Sequence, residues 1–293
     1  MTFSKTSAQC QHVSTQLKVL IEKNHIDVPM LPEVAGKAVR LTQDSESTSN
    51  ELAKLIQSDQ TLAGHVMRVA NSAAYSPNAS ILTLQQAITR LGMKMIAEIA
   101  LAASINSSLF DTPGFESYVA CKLKFSLATA LWAKEVARAC RHNVEAAFLA
   151  GLLHDIGRPV AIQDALIIAR KAQITLTKEE LFILEDIFQR PIGIRVIELW
   201  KMPSSVQSAV KYFDNYNAAH SSQNQTLSIV AGSLFARHFM NESEENEKNN
   251  ILSRDDLFSH PVFSALNLYP DELEKLIEKI DNVRAAMEAM GNG

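Results

Sequence analysis

Only three cysteines, Cys10, Cys121 and Cys140, occur among the 293 residues. They are too few and too unpatterned for a disulfide framework or a paired-cysteine metal knuckle, so each is expected to be a small buried hydrophobe. Glycine (10) and proline (9) are scarce, and aromatic residues make up 6% of the chain. With Ala, Leu, Ile, Glu, Lys and Gln plentiful, that poverty of turn and strand formers favours helix over sheet. Blocks of basic residues are also missing: 28 Lys and Arg face 32 Asp and Glu, for a net charge of −4. Without a basic patch or an aromatic stacking series, nucleic-acid binding is not expected. No stretch of about 18 apolar residues is free of polar interruption. The longest apolar run, residues 96–105, already contains Glu98 and Ser104, and the first ten residues have no signal-peptide core. A soluble cytoplasmic protein with no membrane association is therefore expected.

What is present is helical periodicity. Val13, Leu17, Leu20 and Ile21 recur at helical spacing and predict an amphipathic helix over residues 13–26, ending before Pro29. Pro32 can open a helix carrying Val34, Ala38, Val39 and Leu41. Residues 49–57 form the next apolar face. Asp59 and Thr83 are candidate caps for the two helices that follow, and Gly92 is a natural stop before a helix over Met95, Ile96, Ile99 and Ala103. The turn at Asp111, Thr112, Pro113 and Gly114 marks a boundary between two lobes, at about residues 29–112 and 115–240. Thr177 and Glu180 match a capping box, with a helix running through Ile187. The glutamate-rich residues 241–252 read as a polar linker, and residues 253–293 as a helical tail. In that tail Leu273, Leu276, Ile280, Val283, Met287 and Met290 alternate three and four apart. This stripe either docks on the protein's own body or supports self-association.

The most informative segment runs from Ala150 to Gly157, where the apolar stretch 146–153 leads into adjacent His154 and Asp155. Neighbouring helical positions lie about 100° apart, so an imidazole nitrogen and a carboxylate oxygen can converge on one metal ion. Two ligands do not make a hydrolytic centre, which needs at least three and an open position for water. The structural alternative is that Asp155 accepts from His154 or from a helix amide. The remaining histidines, His12, His25, His65, His142, His220, His238 and His260, show no ligand spacing. Ser126 has no neighbouring base that would make it a nucleophile.

The segment 149–157 resembles the signature of the HD hydrolase superfamily, and other segments sharpen the likeness to its HDOD branch. They are 31–35 (LPEVA), 52–59 (LAKLIQSD), 69–73 (VANSA), 87–92 (AITRLG) and 199–203 (LWKMP). The resemblance spans about residues 29–239. It implies an all-α, two-lobed helical bundle, an HDOD lobe followed by a degenerate HD-like lobe, with residues 1–28 as a preceding helix and the tail appended.

The resemblance also says where metal ligands would stand. Phe125 occupies the place of the first histidine, Gln189 that of a later one, Phe213 and Asp214 those of a histidine pair, and Gly232 that of the final aspartate. Only His154 and Asp155 survive, and a helix-linking hydrogen bond is expected to explain their retention. No metal or other cofactor is expected. Asn71 and Ser72 could bind a ligand, although both side chains often cap helix ends. The 28 residues before Pro29 leave no room for a receiver or catalytic domain, so a stand-alone role is expected. The expected function is non-catalytic: a bacterial signal-transduction regulator or adaptor that binds a protein partner, or a small nucleotide in the vestigial cleft. The alternative is a metal-dependent phosphohydrolase that recruits Asp214 or Glu185 as replacement ligands.

Overall fold

The structure, a computed structural model, describes residues 7–76, 80–219, 222–240 and 252–291. It is all-α, with no strand among the described residues. The order is α1 (Ala8–Glu22), α2 (Glu33–Leu41), α3 (Ser49–Gln57), α4 (Gln60–Ala70), α5 (Leu84–Leu91) and α6 (Met93–Ser104). A long α7 (Glu116–Ala139) leads into α8 (Val144–Leu153), α9 (Gly157–Lys171), α10 (Lys178–Leu199), α11 (Ser204–Lys211) and α12 (Gln223–Phe239). Short α13 (Arg254–Ser259), α14 (Pro261–Ala265), α15 (Pro270–Ile277) and α16 (Ile280–Gly291) close the chain.

Local chemistry sets most of these boundaries. Asp59 caps α4, Thr83 with Gln86 forms a capping box on α5, and Thr177 does the same with Glu180 on α10. Gly92 separates α5 from α6 at φ 84°, a left-handed conformation that costs glycine little. At the end of α10, Lys201 turns at φ 55° and the Met202 amide reaches back to the Ile197 carbonyl, after which Pro203 forbids further helix. Trp200 uses this corner to donate from Nε1 to the Pro29 carbonyl, tying the α1–α2 connection to α10.

Packing centres on α7, about 36 Å long at 1.5 Å per residue. Helices α8 and α12 lie along it and touch each other, while α2, α4 and α5 pack on α6. The approaches to α7 are backbone-close. A Cβ on Gly151 of α8 would stand 2.7 Å from Ala130 Cα, and one on Gly232 of α12 would stand 2.6 Å from Ala133 N. Helix α1 docks on α9 and α10.

Several expectations need correction. Cys10 is buried, but Cys121 and Cys140 are only half-buried, the latter directly after the end of α7. The first helix ends at Glu22, not residue 26, since Asn24 takes a left-handed turn there. Pro32 is the residue before α2, not its first. Helix α10 continues past Ile187 to Leu199 through Pro191, which sits on the exposed side, where the carbonyl deprived of a partner can meet water. The tail stripe is not one helix. The chain turns at Glu278 and Lys279, because α15 lies on α7 whereas α16 also reaches α4 and α6. Leu273, Leu276, Val283 and Met290 are buried within the chain, with Ile280 and Met287 packed beside them. Residues 241–251, most of the expected linker, and His220 lie outside the described residues.

Candidate functional site

Helix α8 is apolar all round, and its last turn carries His154 into the interior at 2% exposure. The imidazole Nδ1 lies 2.7 Å from the Gly151 carbonyl. A carbonyl can only accept, so Nδ1 carries the proton. Burial lowers the His154 pKa below 6.5 and nearby Asp155 only partly offsets this, which leaves the ring neutral with its lone pair on Nε2. That nitrogen stands 3.6 Å from Asp155 Oδ2, too far for a hydrogen bond. The expected His–Asp hydrogen bond between helices is therefore corrected: His154 bonds within its own helix, and Asp155 is held by other groups.

Those groups are two arginines. Arg158, one turn on, donates from Nε to Asp155 Oδ2 at 3.1 Å and from Nη1 to Glu185 Oε1 at 3.2 Å. Arg190 of α10 donates to the His154 carbonyl at 2.6 Å and forms a two-pronged pair with Asp214 at 2.8 and 3.1 Å. Its Nη2 lies 3.9 Å from Asp155 Oδ1. Burial penalises the Asp155 charge, but with His154 neutral the guanidinium groups of Arg158 and Arg190 outweigh it and hold the carboxyl below its ordinary 3.8. Burial likewise opposes the Arg158 charge, and Asp155 and Glu185 more than restore it. Glu185 also accepts from the Tyr118 hydroxyl at 2.8 Å.

Phe125 of α7 and Phe213 flank His154, their ring centroids 6.1 and 4.8 Å from the imidazole, and the Arg190 guanidinium covers the Phe213 ring at 5.0 Å. The fold thus brings together Phe125, His154, Asp155, Phe213 and Asp214. Gln189 sits beside Arg190 with its Oε1 buried and without a hydrogen-bond partner among the described residues. Gly232 is turned against the α7 backbone and has no room for a side chain. Asn71 is fully committed: Nδ2 donates to the Met67 and Ile81 carbonyls and Oδ1 accepts from the Ile81 amide. It closes α4 and pins the segment before α5. Ser72 Oγ is buried without a partner among the described residues.

A divalent metal does not fit this donor set. The two rings that flank His154 are hydrocarbon and offer no ligand atom, and two guanidinium groups already stand against the carboxylates that would coordinate. No group of three or more His, Cys, Asp or Glu able to hold a metal occurs among the described residues. The sequence reading missed Arg158 and Arg190. Arg158 was within reach of it, being three residues after Asp155 and hence on the same helical face. For Arg190 no local signal existed.

Residues 28–216 match the HDOD domain. The chain belongs to the HDOD family. The match ends short of α12, although α12 packs along α7. Among solved structures, an HDOD domain protein of unknown function from Geobacter sulfurreducens is 19% identical, with a TM-score of 0.71 over 96% of this chain and 98% of its own. A protein from Shewanella amazonensis SB2B, provisionally named a metal-dependent phosphohydrolase, is 18% identical at a TM-score of 0.71, covering 97% of this chain and 100% of its own. A protein from Marinobacter aquaeolei VT8, provisionally named a signal transduction protein, is 20% identical at a TM-score of 0.64, covering 97% and 67%. At these identities the likeness establishes the HD-like fold. An uncharacterized Treponema pallidum protein is 22% identical over 231 residues, and the match takes in 76% of this chain but 44% of that relative's length. No described helix is long and apolar enough to cross a membrane.

Proposed function

We propose that this HDOD protein is a cytoplasmic signal-transduction regulator that works by binding a protein partner or small ligand, and not by hydrolysis. In this reading α2–α6 form the HDOD lobe and α7–α12 a degenerate HD lobe whose metal chemistry has been replaced. The observation that carries it is the pair of guanidinium groups at Asp155. Arg158 and Arg190 supply, as fixed side chains, the positive charge that a divalent ion supplies in a hydrolase, so the acidic residues are neutralised without creating a Lewis acid or a bound hydroxide. Glu185 and Asp214, the replacement ligands a hydrolase would need, are both taken by these arginines.

The test is hydrolysis of bis(p-nitrophenyl) phosphate with manganese, on wild type and Asp155→Asn, alongside metal content after desalting. No metal-dependent turnover and far less than one metal per chain are expected. Turnover that disappears in a folded Asp155→Asn protein would establish the hydrolase instead.

A further inference from the structure

The apolar stripe of the tail is interrupted where the sequence gives no cause for a break. Leu273, Leu276, Ile280, Val283, Met287 and Met290 keep one three-and-four spacing from α15 into α16, and the intervening Glu278 and Lys279 are both good helix formers. No glycine or proline lies between Pro270 and Met290. Glu278 keeps right-handed helical angles, φ −59° and ψ −15°. The bend costs hydrogen bonds. In one continuous helix the amides of Ile280, Asp281 and Asn282 would donate to the carbonyls of Leu276, Ile277 and Glu278, and none of these three bonds forms among the described residues.

Helix α16 is held by apolar contact alone. It packs on α4, α6 and α7 with Val283, Ala286 and Met290 buried. Among the described residues no hydrogen bond or ion pair joins it to another element, and its own ion pair, Arg284 with Asp281, is internal. Helix α15, by contrast, is tied to α13 by Arg254 and Glu274. Open space also borders α16: cavities of about 930, 450 and 290 Å³ reach Val283, Met290 and Ala289 in turn. A helix seated on alanine and methionine beside voids gives up little dispersion contact at any one point when it lifts.

We propose that this seat also takes the α16 of a second copy of the chain, the two copies exchanging tails once α15 and α16 straighten into one helix. The occupant is the helix the seat already fits, so the contacts made within one chain are remade between two, and only the hinge changes. There the straightened form gains the three missing hydrogen bonds, which offset part of the cost of association. A short turn between packed helices is where such exchange arises. Coiled-coil pairing of the stripes themselves is not favoured, because Leu273 to Met290 is shorter than the about three to four heptads it needs. Tail exchange of this kind does not depend on the His154 cluster.

The experiment is size-exclusion chromatography with light scattering on the full chain, from about 10 μM to about 1 mM, so that any dimer with a Kd near 1 mM or tighter is populated. Wild type is expected to show a dimer whose share grows with concentration. Asp281→Pro changes an exposed residue in the first turn of α16, where proline is tolerated, but it places proline inside the straightened helix. Its melting temperature should hold while the dimer weakens roughly hundredfold. Disulfide formation reads where the exchanged tail sits. A Cβ on Gly291 would lie 4.0 Å from Leu127 Cδ2. Leu127→Cys and Gly291→Cys chains, mixed and oxidised, should therefore give a covalent heterodimer that neither variant gives with wild type. A wild type that stays monomeric at about 1 mM, a dimer undiminished in folded Asp281→Pro, or no cross-link specific to the mixed variants would each overturn the proposal.

Discussion

At Asp155 a single carboxylate holds two helices together through charge. It lies 11% exposed between Arg158 and Arg190, and the latter reaches on to the His154 and Val210 carbonyls. Removing it leaves two guanidinium groups without their shared partner inside the fold. Asp155→Ala is therefore expected to destabilise the protein by about 3 kcal/mol, read by urea unfolding. Arg190→Ala should be similarly damaging, because Asp155 then loses one of its two flanking charges and the His154 carbonyl its donor. A second residue ties stability to pH. Asp164 of α9 is buried, accepts from the Asp27 amide at 3.3 Å, and has no partner on Oδ2 among the described residues. Burial pushes its pKa up to about 7 from an ordinary 3.8. Between those values the folded state keeps a proton that the unfolded chain has released, so stability falls as pH rises towards about 7 and then levels off. Asp164→Asn should flatten that slope, so that melting temperatures measured from pH 5 to pH 8 fall in wild type but not in the variant. An identical slope in both proteins would remove Asp164 from the account.

Among the elements, helix contacts depend on glycines where backbones touch. A Cβ on Gly157 would come within 1.9 Å of the Gln189 carbonyl oxygen and 2.5 Å of Gly193 N, so α9 and α10 can cross at that point only because Gly157 has no side chain. Gly157→Ala is expected to cost about 3 kcal/mol or prevent folding, since the clash is with backbone and no side chain can yield. The same geometry predicts the fate of an attempt to restore a metal ligand. Gly232→Asp would drive a Cβ to within 2.8 Å of the Thr129 carbonyl oxygen and 2.6 Å of Ala133 N, so the new side chain would force α7 and α12 apart. Loss of cooperative melting by circular dichroism, with no gain in manganese binding, is the expected result. A folded Gly232→Asp protein that takes up metal would show that α7 and α12 can separate.

Over the whole molecule, the tail is part of the body. Buried Val283, Ala286 and Met290 of α16 rest against the α4, α6 and α7 surfaces, and α16 borders cavities on both sides. Ending the chain before Ile280 should expose these contacts and lower stability by about 4 kcal/mol, the worth of burying one valine and one methionine side chain. Increased binding of a hydrophobic dye and a lower melting temperature would be the readout; an unchanged melting temperature would mean that α16 contributes little to the fold. At the opposite end of the chain, Gln163 donates to the Asp27 carbonyl and accepts from the Asp111 amide, so α9 braces both the entry to α2 and the turn before α7.

Helix class, most caps and the place of the His–Asp pair were legible in the sequence because they depend on neighbours a few residues away. Thr83 and Thr177 cap the helices they precede, Gly92 ends one, and the apolar run before His154 is buried on all sides. The family resemblance went further and named Phe125, Phe213 and Asp214, which do converge near His154 although they lie far apart in the chain. The placing of Arg158 and Arg190 against Asp155 was not legible. A guanidinium's partner is set by which helices cross and where, and Arg190 meets Asp155 only because α9 and α10 close over Gly157. Likewise the tail stripe showed a buried face but not the break at Glu278, because periodicity reports which side of a helix is covered and not how many surfaces cover it. Local hydrogen bonding and side-chain periodicity thus determined the elements; backbone contact at glycines and the pairing of buried charges, both functions of three-dimensional distance, decided the site.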